Sequence, residues 1–82
     1  MNENFEKKLS TAFGANLRAA RAKRNIKQEE LCGRANMDRS YLSKVESGNY
    51  KITLAKVYAL AAALECSLDE LLPDLQDVKN AD

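Results

Sequence analysis

Apolar residues recur along this chain at spacings of three and four, which is typical of helices that bury one face. The first stripe consists of Phe5, Leu9, Phe13, Leu17 and Ala20. It predicts a helix over residues 10–24, which can extend back to residue 4. Almost no alternating pattern of the kind that strands show is visible, so the periodicity indicates an all-α protein.

Two short helices and a tight turn are predicted between residues 28 and 48. The first helix covers 28–35, and its apolar face consists of Leu31, Cys32 and Ala35. Asn36 follows where the chain must turn, and asparagine tolerates the left-handed conformation better than most residues. Met37 then closes the turn as an apolar plug.

The second of these helices covers 39–46, with Leu42 and Val45 facing inward and Asp38 as its candidate N-cap. Gly48 ends it at a position suited to a left-handed cap. The outer face keeps polar and basic side chains: Arg39, Ser40, Tyr41, Ser43 and Lys44. A helix, a short turn and a second helix with a polar outer face form the helix-turn-helix of DNA-binding proteins.

The rest of the chain predicts two more helices. Thr53 caps the fourth, TLAKVYALAAALE, after the loop 47–52. Ser67 and Glu70 have the spacing of a capping box at the start of the fifth, SLDELL, which Pro73 stops. The predicted core consists of Leu17, Leu31, Leu42, Val45, Leu54, Val57, Leu60, Leu64, Leu68 and Leu71.

These elements divide the chain into an N-terminal extension at 1–9, a helix-turn-helix domain at 10–72 and an acidic tail at 73–82. We expect the tail to be frayed unless a partner orders it. A single domain of 82 residues buries a small core, so it gains stability from forming a dimer. Leu72 and Leu75 are the leucines expected at that dimer interface.

Charge is unevenly distributed along the chain. Residues 1–56 hold 12 Lys and Arg against 6 Asp and Glu, whereas residues 57–82 hold 1 against 6. A basic front half suits a polyanionic partner, although a solvated surface with uneven charge is the alternative. No apolar run is long enough to span a membrane. The N-terminus carries acids and lacks the apolar core of a signal peptide, so we expect a cytoplasmic protein.

Composition argues against metal binding and catalysis. The chain has no histidine and its cysteines, Cys32 and Cys66, are far apart, so no metal, no cofactor and no catalytic residue is expected. The cysteines are expected to be reduced and buried, with a disulfide or a redox switch as the alternative. A small-molecule effector is not expected, because no second domain is present to form its pocket.

The order of five helices resembles the phage repressor and Cro family of bacterial DNA-binding domains, the xenobiotic-response-element type. The resemblance covers residues 13–72. It rests on Gln28, Leu31, the small Cys32, Leu42, Ser43, Glu46, Gly48 and the segment LAKVYALAAALECSLDELL. The sequence departs from the family at Cys32, usually alanine, and at Asn36, usually glycine. The segment MDRSYLSKVESG also resembles controller proteins of restriction–modification systems, which are small dimers that regulate their own promoter.

The resemblance implies roles for individual residues. In this family the start of the third helix enters the major groove, so base contacts are expected from Arg39, Ser40, Tyr41 and Lys44. Phosphate contacts are expected from Gln28, Ser43, Asn49 and Lys51. Tyr41 and Lys44 can instead contact the backbone, and Ser43 can face the helix junction. Asp38 can orient Arg39 or accept from a cytosine, besides capping the helix.

Two residues are expected to be structural, since the resemblance implies an ion pair between Arg21 and Glu46. The function implied is a homodimeric, sequence-specific transcriptional regulator that binds double-stranded DNA at a pseudo-palindromic operator. The alternative is a protein-interaction module, such as an antitoxin or an adaptor, that keeps the same fold.

Overall fold

A computed structural model of the protein describes residues 3–79, which form six helices without any strand. In chain order they are α1 (Glu3–Lys23), α2 (Gln28–Ala35), α3 (Arg39–Glu46), α4 (Leu54–Leu64), α5 (Leu68–Leu71) and α6 (Leu75–Lys79). The first helix packs against α3, α5 and α6, while α4 packs against α2 and α5. The all-α fold with its helix-turn-helix at α2 and α3 is confirmed.

The predicted bounds of α2 and α3 agree with the structure, and the cap of α4 is also confirmed, because Lys56 N donates to Thr53 Oγ1 at 3.3 Å. At the other end of the chain, α1 begins at Glu3 and passes without a break through the boundary placed after residue 9. Residues 1, 2 and 80–82 of the two terminal segments lie outside the described residues.

The predicted capping box of α5 is wrong. Ser67 occupies the N-cap position but its side chain makes no capping hydrogen bond. The carboxylate of Glu70 instead accepts hydrogen bonds from Arg24 at 2.6 and 2.9 Å. A charged partner in the α1–α2 loop therefore replaces the local contact, and it connects α5 to the end of the first helix.

The core lies between α1 and the other helices. It contains all the predicted core residues except Leu54 and Leu68. It also contains residues of α1, the α1–α2 loop, α4 and α6 that were not in the predicted core: Phe13, Ala20, Ile26, Ala61 and Val78. Leu68 is only partly buried and packs against the core. Leu54 was wrongly assigned to the core, because 69% of its surface is exposed.

The acidic tail is not frayed over residues 75–79. These residues form α6, and Val78 is buried with 3% of its surface exposed. The helix packs on α1. Burial of one branched side chain against a long helix orders a segment whose other residues are mostly polar.

A glycine allows α1 and α3 to approach closely. A Cβ atom added to Gly14 would lie 2.6 Å from the carbonyl oxygen of Val45 and 2.7 Å from that of Glu46. Any larger residue would push the end of α3 away from α1. The position of α3 is therefore set by direct contact with the backbone of the first helix.

Both cysteines are free, with Cys32 buried and Cys66 half-buried. Burial is the main cause that raises the pKa of each thiol above its usual value, which reduces reactivity as a nucleophile. Over residues 3–79, none of the helices is both long and apolar enough to cross a bilayer.

Candidate nucleic-acid interface

The turn between α2 and α3 has the conformation that the sequence predicts. Asn36 is left-handed, with φ of 53°. Met37 N donates to Cys32 O at 2.9 Å and closes the end of α2. The chain then enters α3 at Arg39, so the two helices are joined by three residues. This short connection fixes the outer face of α3 relative to α2.

Four of the side chains expected to contact DNA lie exposed on α3: Arg39, Ser40, Ser43 and Lys44. Arg39 is the first residue of the helix, and Lys44 lies in its last turn. The exposed face therefore offers one guanidinium group, two hydroxyl groups and one ammonium group. Hydrogen-bond donors of this kind recognise base edges and phosphate oxygens.

The guanidinium of Arg39 is oriented by the start of α2. Its Nε donates to Gln28 Oε1 at 3.3 Å, and its Nη1 lies 3.6 Å from Glu29 Oε1. The ion pair with Glu29 is exposed on both sides, so it is weak and can be exchanged for a base or a phosphate. Arg39 thus has a defined resting position without being buried.

Asp38 occupies the N-cap position of α3 but makes no capping hydrogen bond through its side chain. Its carboxylate accepts from the hydroxyl of Ser40 instead. This hydrogen bond is the main cause that lowers the pKa of Asp38, and the nearby backbone N–H groups at the start of α3 add to it. The capping role is therefore only electrostatic, and Ser40 is held at the helix start.

Tyr41 does not lie on the exposed face, in contrast to the sequence prediction. Its side chain is half-buried against the core, and its hydroxyl is buried without a hydrogen-bond partner. The ring meets that of Tyr50 edge-on at 5.0 Å, and Lys56 Nζ lies 5.6 Å from its centroid. Two neighbours on the α3–α4 side thus hold the ring, and its hydroxyl can reach DNA only if the side chain moves.

Gln28 connects the exposed face to the interior. Its Nε2 donates to Glu46 Oε1 at 3.0 Å, while its Oε1 accepts from Arg39 and from Ser43 Oγ at 3.4 Å. The expected phosphate contact from Gln28 would replace one of these bonds. The sequence left open whether Ser43 contacts a phosphate or faces the junction of α2 and α3. Its hydrogen bond to Gln28 places its hydroxyl at the junction.

Glu46 and Arg21 form the ion pair that the resemblance implies. Arg21 Nε lies 2.8 Å from Glu46 Oε2, and Arg21 Nη2 donates to Glu46 Oε1 at 3.0 Å. The carboxylate is buried and the guanidinium is mostly covered. Arg18 also donates to the carbonyl oxygen of Glu46. Two arginines of α1 therefore hold the C-terminal end of α3, the helix whose first turn is expected to enter DNA.

Asn49 and Lys51 are exposed in the loop 47–51 that follows α3, and each contacts α1. Lys7 Nζ donates to Asn49 Oδ1 at 3.0 Å, and Lys51 Nζ lies 2.8 Å from Glu6 Oε1. The sequence prediction did not connect Glu6 and Lys7 with this loop. The available signal was the backward extension of the apolar stripe, which carries these two residues along the side of the domain.

The leucines expected at a dimer interface, Leu72 and Leu75, are both exposed. We use the term apolar face for four exposed side chains of α4 and the α5–α6 region. They are Leu54 (69% exposed), Tyr58 (55%), Leu72 (43%) and Leu75 (66%). Leu54 and Leu72 line one groove of about 410 Å³ between α1, α4 and the α5–α6 junction. Leu54 and Tyr58 were not predicted at an interface, although α4 is apolar almost all round, a pattern that indicates two buried faces.

No group of three metal-binding side chains of the His, Cys, Asp or Glu type comes together within residues 3–79.

The chain has clear relatives among bacterial regulators. A family model described as helix-turn-helix matches residues 17–71. A hypothetical transcription factor of Neisseria meningitidis is 34% identical over 67 residues, which cover 82% of this chain and 63% of that protein. The control protein C.MunI of Mycoplasma sp. is 31% identical over 69 residues, which cover 83% of this chain and 93% of that protein.

Solved structures agree with these matches. The restriction–modification controller protein C.AhdI of Aeromonas hydrophila superposes with a TM-score of 0.74 at 35% identity, covering 77% of this chain and 96% of that one. The family match spans most of the domain and includes the turn, α3 and its buried ion pair. The chain belongs to the helix-turn-helix family of DNA-binding transcriptional regulators.

Proposed function

We propose that the protein binds double-stranded DNA as a homodimer and regulates transcription from a pseudo-palindromic operator. The observation that carries this proposal is Arg39, which lies exposed at the first turn of α3 and is oriented by Gln28. Arginine at this position can donate two hydrogen bonds to guanine O6 and N7. We therefore propose that the protein acts by binding DNA rather than by catalysis. Its proposed location is the cytoplasm, where bacterial DNA lies.

The other contacts have separate roles. Ser40 and Lys44 lie on the same exposed face and supply further base or backbone contacts. Tyr41 belongs to this set only if its ring turns outward. Gln28, Ser43, Asn49 and Lys51 are proposed to contact phosphates, which position the protein without reading the sequence.

Dimerisation through the apolar face would place two α3 helices on one side of the duplex. Four large apolar side chains are exposed on this small domain, and exposed apolar side chains of this size are expected to be covered by a partner. Two copies related by a two-fold axis would bind half-sites about 10 base pairs, or about 34 Å, apart. We further propose that the protein is a restriction–modification controller protein that regulates its own promoter, because C.MunI is named a control protein and C.AhdI a restriction–modification controller protein.

Selection from a randomised DNA library with the purified protein tests sequence recognition. We expect a two-fold symmetric site with guanine at equivalent positions of both half-sites. Arg39→Ala should reduce the preference for that guanine by about 1–3 kcal/mol per half-site. Lys23→Ala, an exposed cation at the end of α1, is the matched control and should leave the preference unchanged. Equal weakening of Arg39→Ala on selected and random DNA would contradict base recognition.

Oligomeric state is measured by sedimentation equilibrium. Leu75→Lys should shift the protein toward monomer, because a charge would enter the apolar face. Gly33→Lys is the control, since the space around Gly33 is open. If both variants remain dimeric, the interface lies elsewhere.

A protein-interaction module is the second candidate, and the groove beside Leu54 and Leu72 favours it. A folded protein that enriches no DNA site, but forms a stable complex with a second protein through this groove, would replace the first proposal. An antitoxin can do both, and Leu72→Lys, which changes a lining residue of the groove, would then disturb the complex without changing the DNA preference of the domain.

A further inference from the structure

A polar notch lies between the first two turns of α1 and the loop 47–51. It has a volume of about 300 Å³ and is lined by Glu6, Lys7, Ser10, Gly48, Asn49, Tyr50 and Lys51. Two lysines, a serine hydroxyl and an asparagine side chain therefore surround one small space. Such a set of donors matches the chemistry of a phosphate group.

The two walls of the notch are firmly joined. Lys7 Nζ donates to the carbonyl oxygen of Gly48 and to Asn49 Oδ1, both at 3.0 Å. Gly48 has φ of 80°, and a Cβ atom there would lie 2.9 Å from Thr11 Cα. The loop can approach α1 this closely only because the residue is glycine.

The notch already holds an anionic group from the chain itself. Glu6 Oε1 lies 2.8 Å from Lys51 Nζ, and both side chains reach solvent. The contact with Lys51 is the main cause that lowers the pKa of the Glu6 carboxyl, so the group is ionised at neutral pH. An exposed ion pair of this kind is weak and exchanges readily.

The α1 side of the notch lies outside the family match, whereas the loop side lies within it. The match begins at residue 17, whereas Glu6, Lys7 and Ser10 precede it. The loop that they contact follows directly after α3. A group bound in the notch would therefore lie beside the path of the DNA backbone if α3 enters the major groove.

We propose that the notch is a binding site, here called the seat, for a backbone phosphate of DNA. In the free protein the Glu6 carboxylate occupies the position that the phosphate takes after DNA binds. On binding, Lys51 exchanges Glu6 for the phosphate, and Lys7 and Ser10 complete the seat. The inference rests on the proposed DNA-binding function. It adds a contact that extends the interface to the beginning of α1, and it makes Glu6 a competitor of DNA.

The test measures affinity for a short duplex of random sequence over a range of salt concentrations, because a phosphate contact does not depend on sequence. Glu6→Gln should tighten binding by about two- to five-fold for each protomer, as expected for removal of a competing exposed ion pair. The plot of log K against log salt should become steeper by up to about one per protomer, since binding no longer returns a cation to a freed carboxylate.

Glu65→Gln is the matched control, because it removes an exposed carboxylate at the end of α4, outside the notch. It reports the effect of net charge alone. In a Lys51→Met background the gain from Glu6→Gln should disappear. Circular dichroism verifies that each variant is folded.

Lys7 and Lys8 form a second matched pair. Lys8 is exposed on the same turn of α1, and Lys8→Met removes the same charge. Lys7→Met should weaken binding by about ten-fold, because it removes a charged donor from the notch together with the two hydrogen bonds that hold the loop against α1. Lys8→Met should have a smaller effect.

The outcomes separate the two proposals. Wild-type protein that binds no DNA at low salt would overturn both the DNA-binding function and the seat. Wild-type protein that binds DNA, with Glu6→Gln no tighter than Glu65→Gln, would overturn the seat alone. So would a gain from Glu6→Gln that persists with Lys51→Met. Inorganic phosphate that binds the notch without any effect of Glu6→Gln on DNA would also overturn it.

Discussion

Gln28 Nε2 donates a hydrogen bond of 3.0 Å to Glu46 Oε1, so the first residue of α2 contacts the buried carboxylate that ends α3. The same amide accepts from Arg39 at 3.3 Å. A continuous chain of polar contacts therefore runs from Arg21 on α1, through Glu46 and Gln28, to the guanidinium expected to read DNA. Stability and recognition are connected at this point.

The buried end of that chain gives the first prediction. Glu46→Gln should lower the free energy of unfolding by about 3 kcal/mol, because Arg21 would keep its charge without its bidentate partner. The measurement is chemical denaturation monitored by circular dichroism.

Glu30→Gln is the matched control for Glu46→Gln. Glu30 forms an exposed ion pair with Arg34 one turn away on α2, and its loss should cost about 0.5 kcal/mol or less. Equal losses in the two variants would mean that burial of the Glu46 pair contributes nothing to stability.

The glycines of α1 and α2 predict effects of opposite sign. Gly14→Ala places a methyl group 2.6 Å from the carbonyl oxygen of Val45, which should destabilise the protein by about 1–3 kcal/mol. Gly33→Ala meets nothing within 4 Å, and it should stabilise α2 by about 0.5–1 kcal/mol. Thermal unfolding of both variants checks this. A stabilising Gly14→Ala would show that α3 can move away from α1 at no cost.

Local sequence signals predicted most of the fold because each depends on a few neighbouring residues. The helix spacing gave α2 and α3, Asn36 gave the left-handed turn, and Gly48 gave the end of α3. The ion pair of Arg21 with Glu46 came from the resemblance to the family, since a contact between residues so distant in sequence leaves no local signal.

The errors come from the same limitation. Periodicity assigned Leu54 to the core, but α4 is apolar on two sides, and its pattern alone does not say which side the domain covers. Tyr41 was placed outside because Leu42 and Val45 were assigned to the inner face of α3, although its ring has Tyr50 of the following loop and Lys56 of α4 as neighbours. The notch beside Lys51 depends on where the beginning of α1 lies relative to a distant loop, which only the folded chain determines.

The ion pair between Arg24 and Glu70 predicts a dependence of stability on pH. The hydrogen bond from Arg24 is the main cause that lowers the pKa of Glu70 from its ordinary value of 4.5. A lowered pKa in the folded state stabilises the protein above the ordinary value, and this contribution is lost as pH falls through the lowered value. The folded protein should therefore lose stability in acid below pH 4.5.

Glu70→Gln isolates this contribution. The variant should be less stable than the wild type at about pH 7 and should lose less stability on acidification, so that the two converge at low pH. Asp38 and Glu6, whose pKa values are also lowered, keep part of the dependence in both proteins. Denaturation curves at several pH values make the comparison. Parallel curves would mean that Arg24 does not stabilise the charged form of Glu70.

Tyr41→Phe tests the position of the aromatic ring on α3. The hydroxyl of Tyr41 is buried without a partner, so its removal should raise the free energy of unfolding by about 1 kcal/mol, because a desolvated polar group is lost and no hydrogen bond is broken. Tyr50→Phe is the control, since the side chain of Tyr50 is exposed. Removal of its hydroxyl should change the free energy of unfolding little. Both variants should bind the selected DNA site as the wild type does. A loss of DNA affinity in Tyr41→Phe without a gain in stability would show that the ring turns outward and that its hydroxyl contacts DNA.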